Sequence, residues 1–288
     1  MTAAKQRDTV GGFALYVVAV VAGVIAGIVG TAFREALVLA NQFRLDVVAY
    51  FHQWPLIGWV VPVGAAAIAV AVARYIVVRV PESAGSGVQR IEAQVRRQVT
   101  NDPLRVVPAK FIGGVLAIGS GLALGREGPT VQMAAAIGGK VARYGKLNHD
   151  DQLTIQAALA GAGLGVALNA PLAGPIFVVE ELTKTIQFRV IVCSLLATGA
   201  GVGVMRFLMG GAPDFLVGHL DQVSILGLAV FILFGLVVGL LGSAYSKTTV
   251  YFLDLFERAK AVPLLLRAAI VGGAVGLLGW FLPDFVGP

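Results

Sequence analysis

Charge is scarce in this chain of 288 residues: 13% are Asp, Glu, Lys or Arg, about half the ~25% of soluble domains. With 57% hydrophobic residues and a mean hydropathy of +0.84, that shortage excludes an ordinary soluble domain and points to an integral membrane protein. Cysteine is nearly absent, and the single Cys193 rules out an intrachain disulfide and a cysteine-based metal centre. The three histidines, His52, His149 and His219, are scattered, so no metal site is expected. The first apolar run is too long for a removable leader and lacks a small-residue cleavage signature. Although the net charge is +6, the basic residues gather beside apolar runs, where cytoplasmic retention explains them without a nucleic-acid partner.

What is plentiful is glycine, with 37 residues, a composition that lets membrane helices pack with their backbones close together. Apolar runs cover residues 10–33, 55–73, 111–125, 153–179, 190–213, 223–245 and 263–283. A plain span needs about 20 apolar residues. The third run is short, and the fourth is interrupted by Asn169-Ala170-Pro171 and by Gly174-Pro175. Broken helices of this kind line transport paths, where protein or a wet cavity satisfies the freed backbone groups. Residues 74–110 hold Arg74, Arg79, Arg90, Arg96, Arg97, Arg105 and Lys110. The positive-inside rule places that segment, and the N-terminus with Lys5 and Arg7, on the cytoplasmic side.

Within the apolar background, residues 119–133 read Gly-Ser-Gly-Leu-Ala-Leu-Gly-Arg-Glu-Gly-Pro-Thr-Val-Gln-Met. A carboxylate at membrane depth persists mainly beside a pathway or binding site, which makes Glu127 a functional candidate. Pro129 has φ preset for a first helical turn, so residues 125–128 are expected to be unwound and to lead into a helix N-terminus, which attracts anions.

Part of the chain also repeats. Residues 22–33 (AGVIAGIVGTAF) align with 234–245 (FGLVVGLLGSAY), matching Gly23 with Gly235, Gly27 with Gly239, Gly30 with Gly242 and Thr31 with Ser243. An amphipathic stretch follows each copy, at 34–43 and 246–256, and then an apolar run flagged by Pro55 or Pro263. The expected organisation is a first membrane repeat over 1–213 and the opening of a second over 214–288. The second copy stops near the counterpart of residues 81–86, so a fragment or a shortened chain is expected.

The ordered motifs Gly85-Ser86-Gly87, Gly125-Arg126-Glu127-Gly128-Pro129 and Asn169-Ala170-Pro171-Leu172-Ala173-Gly174, running on to Glu180-Glu181, resemble the CLC family of chloride channels and proton-coupled chloride exchangers, of prokaryotic type. The resemblance covers essentially the whole chain, as the family's N-terminal repeat and the start of its second, inverted repeat. It implies an all-α polytopic fold with broken and re-entrant helices, no enzymatic activity and no cofactor. It also implies a homodimer in the bacterial inner membrane, with chloride, protons and lipid as partners.

The resemblance further implies that Ser86 donates its hydroxyl to a midmembrane chloride. The backbone N–H groups from Gly125 through Arg126 to Gly128 would add partial positive charge, with Gly85, Gly87 and Pro129 completing the anion-binding loops. Glu127 matches the gating glutamate, whose carboxylate competes with the anion. Glu181 matches the internal glutamate of proton-coupled members, and Glu92 a carboxylate supporting the proton route. The expected activity is chloride/proton antiport.

Other readings have their own supports. A passive voltage- or pH-gated channel fits the same motifs, and a non-transporting remnant or assembly subunit fits the abrupt end. The presence of Ser86 disfavours a fluoride-selective relative, and the lack of a histidine in an apolar span disfavours an intramembrane serine protease at Ser120. Structurally, Arg126 has a candidate pair in Glu127 or Glu181, Ser86 could act as a helix cap, and Asn169-Ala170-Pro171 as a helix restart. One departure stands out: where the family pattern continues G-S-G-I-P, this chain has Val88-Gln89. Gly279-Trp280-Phe281-Leu282-Pro283 matches the family's G-x-F-x-P string but lies at the wrong place in the repeat.

Overall fold

The structure, a computed structural model, describes residues 2–54, 56–100, 102–212, 225–283 and 286, with side chains from residue 12 and, in the ninth helix, from residue 227. Pro55 and most of the closing segment after Pro283 lie outside the described residues. Among them there is helix but no strand, so the chain is an all-α protein with broken helices. The α-helices run α1 (Thr2–Phe51), α2 (Val60–Arg79), α3 (Val88–Val95), α4 (Val106–Gly119) and α5 (Glu127–Tyr144). They continue with α6 (His149–Leu168), α7 (Ala173–Phe177), α8 (Phe188–Met209), α9 (Ile225–Arg258) and α10 (Leu264–Phe281). Five of them are long and apolar enough to cross a membrane.

Two compact units divide the chain. One comprises Met1–Ala212 with Ala268–Pro288, and the other Pro213–Arg267. In the first unit, α1, α5, α6 and α8 pack around small residues: Ala19, Ala22, Ala26, Ala134, Ala158, Ala162 and Ala197 are all buried. Backbones therefore approach closely. A Cβ added at Gly27 would stand 2.6 Å from the Gly201 carbonyl oxygen, and one at Gly23 would be 2.5 Å from that of Ala197. Gly23 and Gly27 thus form a contact of α1 on α8, while Gly30 faces Val166 of α6 and Thr130 of α5. In the second unit α9 is exposed along its described side chains, and among the described residues nothing lies within 4 Å of a Cβ at Gly235, Gly239 or Gly242.

Three sequence expectations shift. The run 10–33 and its amphipathic trailer form one continuous helix, α1, because no proline or glycine pair interrupts residues 34–51. The unwound stretch before Glu127 is 120–126, and Gly128 and Pro129 already lie in the first turn of α5, where the missing proline N–H costs nothing. The fourth run breaks once. Asn169 closes α6 in the left-handed conformation, φ 53°, whereas Gly174-Pro175 falls in the first turn of α7, again a place where proline is tolerated. A π-helical turn, Val178–Thr183, continues α7 and ends at Lys184 with φ 51°.

Candidate functional site

The two glycine loops meet. Ser86 precedes α3 and Glu127 opens α5, and between them stands Gly128, where an added Cβ would be 2.7 Å from the Ser86 carbonyl oxygen and 3.1 Å from the Ser86 Cβ. Only a residue without a side chain lets the loops touch. Gly87, at φ 91°, needs glycine for its backbone conformation, and a Cβ there would strike Gln132 of α5. The starts of α3 and α5, each the positive end of a helix dipole, therefore lie against one another.

Glu127 is partly buried, and its carboxylate curls back over the loop, with Oε2 occupying the place of a Cβ on Gly125. An acidic side chain in the first turn complements the positive end of the α5 dipole. Ser86 is exposed. Its Oγ accepts the Val88 N–H at 3.3 Å and donates to Gln89 Oε1 at 2.7 Å. The oxygen thus closes a turn just before Gly87, the N-cap of α3, and the hydroxyl's hydrogen is engaged by Gln89.

Beneath the loops lies a polar network that sequence reading missed. Asp102, whose side chain is fully buried, accepts from Arg90 Nε at 2.5 Å and Gln94 Nε2 at 2.8 Å through Oδ1. Its Oδ2 accepts from Gln132 Nε2 at 2.7 Å. Gln132 Nε2 also donates to the Glu82 carbonyl at 2.7 Å, and Gln156 Nε2 donates to Gln94 Oε1 at 2.8 Å. Lys110, assigned from sequence to a basic loop, instead sits buried in α4 and donates to the Gly85 carbonyl at 2.5 Å. A lysine and a glutamine inside the apolar strings VVPAKFIGG and PTVQMAAA are the signals that could have revealed them.

The second group of candidates lies along α3. Val88, Ile91 and Val95 pack with Val131 and Ala135 of α5 and with Val178 and Leu182 of the π-helical turn, so α3 bridges the two site segments. Glu92 pairs with Arg96 at 2.7 Å and Lys184 at 3.5 Å. Glu180 and Glu181 are exposed on the π-helical turn. Ser86, Gly87 and Gly128 are thus brought together beside Glu127, whereas Glu92 lies on α3 against Lys184 and Glu181 on the π-helical turn. Among the described residues no group of three His, Cys, Asp or Glu could hold a metal ion.

Glu82, in the turn before the serine loop, receives its own backbone N–H and then the Arg105 guanidinium, 2.7 Å away. Both hold its carboxyl below its ordinary value of 4.5. A depressed carboxyl contributes stability that is present above its ordinary pKa and lost as pH falls through its lowered one. Arg105→Gln should therefore unfold at a lower temperature than wild type at pH 7, with the gap narrowing below about pH 4.5. A gap unchanged down to pH 3 in thermal unfolding would refute the pairing.

With this geometry in view, the comparisons are specific. The family described as "Voltage gated chloride channel" matches residues 66–288. The chain belongs to this family. It is 31% identical, over 98% of its length, to proteins from Citrobacter koseri and Salmonella paratyphi B, each named H(+)/Cl(-) exchange transporter ClcA. It spans 61% of the length of those relatives. Among solved structures, a slow cyanobacterial Cl-/H+ antiporter superposes with a TM-score of 0.88 at 28% identity, covering 95% of this chain and 65% of the antiporter. A CLC-type fluoride/proton antiporter shares the fold, with a TM-score of 0.78 at 22% identity, over 96% of this chain and 67% of its own. The chain is accordingly an integral membrane protein of the CLC family.

Proposed function

We propose that the chain carries the anion site and gate of a chloride/proton antiporter. The observation that supports this most strongly is the packing of Gly128 on Ser86, which joins two helix starts and the Glu127 carboxylate at one place. Backbone N–H groups of residues 85–87 and 125–128 hold the anion weakly enough for it to leave. Glu127 occupies the same ground when ionised and yields it when protonated, so proton and chloride bind by turns. Glu181, on the π-helical turn that packs on α3, passes protons to and from the cytoplasm, with Glu92 assisting. The protein then acts as a transporter without cofactor or enzymatic step, as a homodimer in the bacterial inner membrane with its N-terminus and residues 74–110 in the cytoplasm. Residues 1–213 form the first repeat and 214–288 open the second.

Calorimetric titration of the purified protein with chloride tests the competition at Glu127. Glu127→Gln removes a like charge worth ~1–4 kcal/mol at about 4 Å, so chloride affinity should rise about tenfold. Unchanged or weaker binding in the variant would remove Glu127 from the gate.

A further inference from the structure

We infer that Gln89 is a positioning residue that withholds the Ser86 hydroxyl from the anion and so sets how tightly the inner site holds chloride. The inference rests on the reading of Ser86 as an anion donor and adds a controlling group to it. The Ser86 hydroxyl has one hydrogen to give, and in this structure it goes to Gln89 Oε1 at 2.7 Å. The oxygen's acceptor capacity is turned to the Val88 N–H at 3.3 Å. Ser86 thus presents a lone-pair side where an anion needs a proton.

The local geometry makes this pairing available. Gly87, the N-cap at φ 91°, turns the chain into α3 and brings Gln89, in the first helical turn, within reach of Ser86 three residues before it. Both residues are exposed. The bond is therefore free to break and re-form, unlike the buried bonds of Gln94 and Gln132. Chloride gains the hydroxyl only by displacing the Gln89 carboxamide. A net hydrogen bond is worth ~0.5–1.5 kcal/mol, and the site weakens by that exchange.

Gln89 also differs from the other polar neighbours of the loop. Lys110 and Gln132 contact backbone carbonyls, of Gly85 and Glu82, and fix where the loop lies. Gln89 contacts the donor itself. Its replacement should alter anion affinity without moving the loop, a split that a merely structural residue would not give.

Chloride titration of the purified chain, with Gln89 and Ser86 exchanged singly and together, reads this directly. Gln89→Met, which keeps the length and apolar stem but offers no comparable acceptor, should tighten chloride about two- to tenfold. Ser86→Ala should weaken chloride less in the native background than in the Gln89→Met background, where it should cancel the whole gain. Gln89→Glu, a stronger and charged acceptor, should weaken chloride below wild type. Equal losses from Ser86→Ala in both backgrounds, or an unchanged or lowered affinity in Gln89→Met, would overturn the inference while leaving the anion site in place. Absence of chloride binding from every variant, including Glu127→Gln, would overturn the anion-site reading itself and this inference with it. Matching thermal unfolding midpoints across the set confirm that affinity alone has moved; a Gln89→Met protein that melts well below wild type would show a structural role instead, against the inference.

Discussion

Asp102→Ala is expected to destabilise the protein by about 3 kcal/mol, at the low end of the cost of breaking a buried ion pair. Asp102 is the shared acceptor of three donors, Arg90 Nε, Gln94 Nε2 and Gln132 Nε2. Its removal strands the amide of Gln94 among fully buried surroundings, and Gln132 keeps only the Glu82 carbonyl. Arg90 is 29% exposed, so water relieves its guanidinium in part, which holds the cost to the lower end. Thermal unfolding of the purified protein should show a drop of about 6–12 °C. Asp150→Ala provides the control. Its ion pair with Arg97 is exposed on both sides and should contribute no more than ~1 kcal/mol. Equal drops for the two variants would show that the buried network does not hold the loops.

Gly128→Val carries the second large effect. A Cβ at 2.7 Å from a backbone oxygen forces something to shift, and the neighbour here is the Ser86 loop, whose lead-in is held by Lys110 and by Gln132 through the Gly85 and Glu82 carbonyls. Overpacking of this kind costs about 1–3 kcal/mol. Because the strain falls between the two helix starts, it should appear as a loss of chloride affinity of about tenfold or more. Gly139→Ala serves as the comparison, since a Cβ there meets Gln156 only at ordinary contact distance, 3.6 Å. Calorimetry on both variants decides the matter. Gly128→Val with wild-type chloride affinity would mean that the loops do not form one site.

These two residues also show where the sequence was readable. Gly87 and Gly128 announce themselves because a left-handed backbone at the one and close approach at the other disfavour any side chain, and Glu127 stands out as a carboxylate in an apolar run. The small-residue stripe of α1 likewise betrays helix contacts, which prove to be with α8 at Gly23 and Gly27 and with α6 and α5 at Gly30. Asp102 and its amide partners gave no such sign. They come from a loop and three helices, α3, α5 and α6, and a glutamine in an apolar helix carries no motif until its acceptor is known. Lys110 was misread for a related reason: beside a run of arginines its charge looked like part of a wet loop, whereas the Gly85 carbonyl and burial in α4 give it a structural place. The helix boundaries around Glu127 and Pro175 shifted because a proline in a first turn belongs to the helix that follows it, and sequence alone does not fix which side of the break it joins.

The role of Ser86 shows the limit from the other side. The motif identifies the residue, but whether its hydroxyl is free depends on a neighbour three positions on, and Gln89 is what the structure puts there.

Reconstitution of the purified chain into liposomes, with chloride efflux and proton movement recorded together, tests the central claim most directly. An outward chloride gradient should drive protons uphill in the wild type, and Glu127→Gln should retain chloride flux with the proton movement abolished. Proton movement that survives Glu127→Gln, or chloride flux in the wild type that never drives protons, would contradict the account.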